Sequence, residues 1–147
     1  MRGLPPTSSC HPEPILRRRT ALSEPGSRRI LVVEDETLVL FNLEDILSDL
    51  GWEIVGVAMR LEEARRLAET AVRPDVAILD VNIGGGLVFP AAEILVQRGV
   101  PVVFATGYGR DGLPPEWQDR EVIVKPYTQA DVERVLQPYS QQACAAG

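Results

Sequence analysis

Histidine is almost missing from this chain: the 147 residues include one, His11, set in a proline-rich stretch. Ser-His-Asp and Cys-His catalysis and His-ligated zinc therefore lack their usual parts, which removes most hydrolase chemistries. Cysteine is nearly as scarce. Cys10 and Cys144 both lie near the chain ends, and neither has a partner at the C-x-x-C spacing of a metal site. Free thiols in a reducing compartment are expected. No apolar stretch is long enough to span a bilayer, and no apolar signal core follows the N-terminal arginines, so a soluble, cytoplasmic protein is expected. Positive charge is also thin where it would matter: beyond residue 29, nine Lys or Arg face nineteen acids, a balance of -10. Nucleic-acid binding needs a basic face from which counterions can be released, and it is disfavoured here.

The chain has the length of one domain, and 45% hydrophobic residues are enough for one core. Residues 1–27 carry Pro5, Pro6, Pro12, Pro14 and Pro25 among scattered Ser and Arg, with no hydrophobic period. They read as a disordered tail, Arg17-Arg18-Arg19 being a solvated basic run within it. Residues 28–138 read as the folded domain, and 139–147 as a C-terminal tail.

Within the domain, apolar runs alternate with helical periods. The first strand contains Ile30-Leu31-Val32-Val33, and Leu43, Ile46, Leu47 and Leu50 then mark one helix face that stops at Gly51. Trp52 to Ala58 is β-branched and strand-like, and Ala64, Leu67, Ala68 and Ala71 line the next helix, which Pro74 ends. Val76 to Leu79 is a third strand, Leu87 to Gln97 a third helix with Ala91, Ile94 and Leu95 inward, and Val100 to Ala105 a fourth strand. Between Gly107 and Arg120, Gly109, Gly112, Pro114 and Pro115 leave room only for a short or distorted helix. Glu121 to Val124 is a fifth strand; Thr128 caps a last helix with Val132, Val135 and Leu136 inward, expected to stop at Pro138. Five βα units with right-handed crossovers predict a doubly wound α/β sheet of order 2-1-3-4-5.

In such sheets the working residues lie beyond the carboxyl ends of the strands, and that rule gathers Glu34, Asp35, Asp80, Thr106 and Lys125. Taken alone, Glu34-Asp35-Glu36 reads as helix N-terminal acids, Asp80 as a loop cap, Thr106 as a turn hydroxyl and Lys125 as a surface charge. Together they crowd like charges, and a bound Mg2+ resolves the conflict. A carboxylate nucleophile, a hydroxyl and an ammonium are the parts that reversible phosphoryl transfer to aspartate requires. Gly84-Gly85-Gly86 lacks the Gly-Lys-Ser/Thr of a phosphate loop and reads as mobile chain beside Asp80. Trp52 and Phe41 read as core, Trp117 and Tyr108 as a contact surface.

This ordered set resembles the receiver domain of two-component response regulators, a flavodoxin-like (βα)5 fold, over roughly residues 28 to 138. The resemblance implies that Asp80 is the phosphoacceptor, Asp35 a direct Mg2+ ligand, and Glu34 its acidic neighbour acting through water. It further implies that Asn82 gives the metal a backbone carbonyl, that Thr106 is the switch hydroxyl, that Lys125 pairs with the phosphoryl group, and that Lys125-Pro126 is cis. Phe104-Ala105-Thr106-Gly107-Tyr108 is similar to the signature of a subgroup of single-domain receivers found mainly in alphaproteobacteria, some of which act in stress signalling. Val122 stands where receivers usually carry an aromatic switch residue, so the output face is expected to signal differently.

The function this implies is a stand-alone receiver: a sensor histidine kinase or histidine phosphotransfer protein donates a phosphoryl group to Asp80 with Mg2+, and the signal passes by protein contact. A downstream regulator is a candidate target, and no separate enzyme activity is expected. Two alternatives stay open. One is a receiver-shaped docking module that works without phosphate; the other is a haloacid-dehalogenase-like aspartyl phosphatase, against which Asn82 replaces the second acid.

Overall fold

The computed structural model describes residues 28–84 and 86–145, with side chains as far as Ser140. The tail assigned to residues 1–27, with Cys10 and His11, lies outside the described residues, as do Gly85 and the Cys144 side chain.

Five parallel strands form the sheet: β1 (Arg28–Val33), β2 (Trp52–Ala58), β3 (Val76–Asp80), β6 (Val102–Thr106) and β7 (Glu121–Val124). Their order is β2-β1-β3-β6-β7, which among the five is the expected 2-1-3-4-5. Between β3 and β6 the chain adds a small antiparallel hairpin, β4 (Asn82–Ile83) and β5 (Gly86–Leu87). The helices are α1 (Thr37–Asp49), α2 (Leu61–Thr70), α3 (Phe89–Gln97) and α4 (Gln129–Ala145).

Alternation along the strands builds two cores, one on each face of the sheet. Leu31 and Val33 of β1 face α2 and α3, packing with Ala64, Ala68, Ala91 and Leu95, whereas Ile30 and Val32 face α1 and α4 with Leu43, Leu47, Val132 and Leu136. The small Ala64 and Ala68 let α2 lie close to the sheet. After α1, Gly51 turns the chain at φ 88°, a conformation that costs glycine nothing and lets β2 start at once.

Four local expectations are corrected. Leu87 does not open α3: it pairs with Asn82 in the hairpin, the Val88 amide bonds to the Val81 carbonyl at 2.9 Å, and the helix starts at Phe89 with Pro90 in its first turn. Pro138 does not stop α4. Pro138 and Arg134, one turn earlier, are both exposed, so the carbonyl that the proline leaves unpaired meets water, and residues 139–145 continue the helix. Phe41 is not core: it is 58% exposed, off the α1 stripe of Leu40, Leu43 and Leu47. Trp117 is not a surface residue. It is buried against Phe89 and Phe104, with ring centroids 5.7 and 5.4 Å away.

The glycine- and proline-rich segment forms two single-turn 3-10 helices, Arg110–Gly112 and Pro115–Trp117, in place of a regular helix, as its composition predicts. Leu113 and Trp117 pin it to the α2–α3 side of the core. Trp52 is buried as expected, and Tyr108 is 78% exposed.

Candidate functional site at the carboxyl edge of the sheet

Register brings the polar strand ends together. Val33 of β1 pairs with Leu79 of β3, Asp80 pairs with Ala105 of β6, and Thr106 pairs with Val124 of β7. One residue on from these rows stand Glu34, Asp80, Thr106 and Lys125 at a common edge. The Lys125 amide bonds to the Thr106 carbonyl at 2.9 Å, and Lys125-Pro126 is cis, as the resemblance implied.

Glu34 is buried although ionisable, at 2% exposure. Its two oxygens are used differently: Oε2 accepts the Glu36 amide at 3.0 Å, and Oε1 lies 3.4 Å from the Lys125 ammonium. The same ammonium lies 3.4 Å from Asp80 Oδ2. Lys125 is the only lysine of the chain, and it bridges two buried carboxylates. Asp35 is exposed, and its Oδ2 accepts the Gly84 amide at 2.8 Å. One ligand oxygen each from Glu34, Asp35 and Asp80 falls within 4.8 Å of the others.

Burial, and after it the charge of Glu34, push the Asp80 carboxyl up from 3.8 to about 7 against the opposing pull of Lys125. For Lys125 burial is the largest single influence and works downward, yet the charges of Asp80 and Glu34 outweigh it and raise the ammonium above its ordinary value. Two carboxylates on one ammonium, with Asp35 within 4.8 Å of both, leave excess negative charge in a partly dry edge. An all-oxygen donor set of this kind fits a hard divalent cation, which would relieve the strain on Asp80.

Thr106 is buried at 6% exposure, and its Oγ accepts the Tyr108 amide at 3.1 Å. The hydroxyl thus caps the turn into the 3-10 segment while facing the same edge as Asp80. Asn82 lies in β4 on an open cleft shared with Asp35, Ile83, Gly84, Gly86 and Leu87. The site residues expected from sequence are therefore all at this edge, Asp35 and Asn82 being on the cleft side.

Two features beside the site were not anticipated, Gly84 having been read only as mobile chain beside Asp80. Gly84 holds Asp35 through its amide, and no side-chain signal announces that. Tyr127 is buried, its hydroxyl has no hydrogen-bond partner, and burial together with the charges of Glu34 and Asp80 raises its pKa. Its place two residues after Lys125 was the available signal.

Residues 30–137 match the response regulator receiver domain family. The chain is 32% identical over 110 residues to the phyllosphere-induced regulator PhyR of Methylorubrum extorquens, covering 73% of this chain and 41% of the relative. It is 35% identical over 109 residues to the transcriptional regulatory protein PdtaR of Mycobacterium tuberculosis, covering 71% of this chain and 53% of the relative. The chain thus spans about half, or less, of the length of these curated relatives. The solution structure of SdrG from Sphingomonas melonis Fr1 superposes with a TM-score of 0.66 at 39% identity, covering 78% of this chain and 97% of that one. A second solution structure of SdrG, in a BeF3-activated conformation, gives a TM-score of 0.63 at 39% identity, covering 79% and 97%.

Proposed function

Because the chain belongs to the response regulator receiver family, we propose that it accepts a phosphoryl group from a phosphohistidine on Asp80, with Mg2+, and passes the signal on by protein contact. The observation that carries this reading is the shared ammonium, 3.4 Å from both Asp80 and Glu34 at the carboxyl edge of the sheet. An ammonium held between a nucleophilic carboxylate and a second acid is placed to follow charge from the carboxylate to a phosphoryl oxygen. That SdrG has a BeF3-activated conformation supports the reading, since the two share 39% identity.

In the transfer, an Asp80 oxygen forms a bond to phosphorus as the phosphorus–nitrogen bond to imidazole breaks, and the electron pair leaves with the imidazole. No general base is needed in the transfer itself once the carboxyl is ionised, and Lys125, with a bound cation, would favour that ionised form. Lys125 neutralises one phosphoryl oxygen, and the Thr106 hydroxyl donates to another once it turns from the Tyr108 amide. Asp35 and Asp80, Glu34 through water, and the Asn82 carbonyl would hold Mg2+, whose charge stabilises the phosphoryl oxygens.

Asp80 would be a phosphoacceptor that assists its own phosphorylation and dephosphorylation, with no separate substrate. The partners on this reading are a sensor histidine kinase or a histidine phosphotransfer protein, and a downstream regulator. None of the helices among the described residues is long and apolar enough to cross a membrane. The test is label transfer from a phosphorylated histidine donor in Mg2+: the native chain takes up label and Asp80→Ala does not. Equal labelling of the two would overturn the assignment.

A further inference from the structure

The hairpin after Asp80 is packed into the core at its base. Val81, Ile83 and Val88 are buried in the α2–α3 core, and the Val88 amide closes the base on the Val81 carbonyl at 2.9 Å. Glycine at the tip allows the strand to pass close over its neighbours: a Cβ on Gly86 would sit 3.0 Å from Leu61 Cδ2. Gly84 has φ 22°, outside the ordinary range of side-chain-bearing residues. This geometry delivers the Gly84 amide to Asp35 Oδ2 at 2.8 Å, from a position 49 residues along the chain.

Asp35 is otherwise an exposed carboxylate at the mouth of the cleft. We propose that the β4–β5 hairpin is a positioning arm, whose Gly84 amide fixes one Asp35 oxygen so that the carboxylate is already oriented toward Asp80 and Glu34 when the divalent cation binds. The inference rests on the receiver reading of this site and adds to it a residue that acts through Asp35. Orientation of a ligand before binding removes an ordering cost that the cation would otherwise bear. The hairpin also carries Asn82, so one short element sets two walls of the same cleft.

The arm is a backbone group, so the informative comparison is between substitutions that keep or remove the amide hydrogen. Gly84→Pro removes it. Gly84→Asn keeps it: its Cβ would sit 3.5 Å from the Met59 carbonyl, an ordinary contact, and Asn bears the backbone strain of a positive φ better than most side chains. Mg2+ affinity is measured by calorimetry on the full chain, with thermal unfolding in EDTA reporting whether each variant folds. The expected result is roughly threefold to tenfold weaker Mg2+ binding in Gly84→Pro, whose fixed negative φ also shifts the backbone, and a smaller loss in Gly84→Asn, which keeps the amide hydrogen.

Amide exchange in the native chain gives a second readout that needs no substitution. By reciprocity of binding linkage, Mg2+ should slow exchange at the Gly84 amide by the same factor of roughly three to ten. Native Mg2+ binding with no loss in folded Gly84→Pro, or with a Gly84 amide whose exchange Mg2+ does not slow, would overturn the arm and leave the receiver reading intact. No Mg2+ binding by the native chain would instead overturn the metal site itself.

Discussion

Removing the charge of Asp80 should stabilise the metal-free protein at neutral and basic pH. The Asp80 carboxyl is held at about 7 in the folded chain, against 3.8 for a free aspartate, with burial the main cause and the Glu34 charge next. Between those values the folded state keeps a proton that the unfolded state has released. Stability attributable to this group therefore falls as pH rises from about 4 to about 7, and the loss is complete above 7. One pKa unit corresponds to about 1.4 kcal/mol, so a shift of about three units sets a ceiling of about 4 kcal/mol. Asp80 faces an open edge on one side, and solvent screening reduces the expected effect to about 2 kcal/mol.

The assay is urea unfolding in EDTA at pH 4, 5, 6, 7 and 8, native chain beside Asp80→Asn. The native chain should lose about 2 kcal/mol more than the variant across the series, leaving the variant the more stable by about that amount at pH 8. Saturating Mg2+ should restore the native chain and do little for the variant. Parallel curves for the two proteins in EDTA would refute the reasoning, because they would mean that Asp80 ionises in the fold as easily as in the open chain.

Three other substitutions test separate parts of the structure. Lys125→Met leaves Glu34 and Asp80 facing each other without their ammonium and should cost about 2–3 kcal/mol in metal-free thermal unfolding at pH 8, the pair being less than fully dry; an unchanged midpoint would contradict the bridging role. Trp117→Ala empties a site packed by Phe89 and Phe104 and should cost about 3–5 kcal/mol by urea unfolding, far more than loss of a surface contact would. Phe41→Ala, at an exposed position of α1, should stay within about 0.5 kcal/mol of native in the same measurement.

The strand ends were legible because chemistry and topology agree there: a buried parallel strand is apolar until its last residue, and Asp80, Thr106 and Lys125 break their runs at that place. Two aromatic residues were not read correctly, for different reasons. Phe41 lies in the apolar run Leu38-Val39-Leu40-Phe41, which suggests core, but it is off the stripe that α1 turns inward; periodicity applied to that one residue would have placed it outside. Trp117 sits among glycines and prolines that correctly announce irregular backbone, and irregular backbone suggests a surface. Its partners Phe89 and Phe104 come from other elements, so nothing nearby in sequence reports the packing.

The hairpin escaped because two-residue strands are too short to show a period, and Leu87 was equally compatible with an early start of α3. Pro138 reads as a helix stop from local rules, but the exposed side of α4 tolerates a missing amide when packing by Val132, Val135 and Leu136 holds the helix down. The amide of Gly84 on Asp35 is a backbone contact across distant segments, a class of interaction that side-chain patterns do not encode.

The central claim is that Asp80 becomes an aspartyl phosphate. Its most direct test is the intact mass of the full chain after incubation with Mg2+ and acetyl phosphate or a phosphorylated histidine kinase, followed by mapping of the modified peptide. A single phosphoryl adduct on the peptide containing Asp80, absent from Asp80→Ala and absent in EDTA, is the predicted result. A folded, Mg2+-binding protein that takes no adduct from any donor, or takes one at another residue, would contradict it.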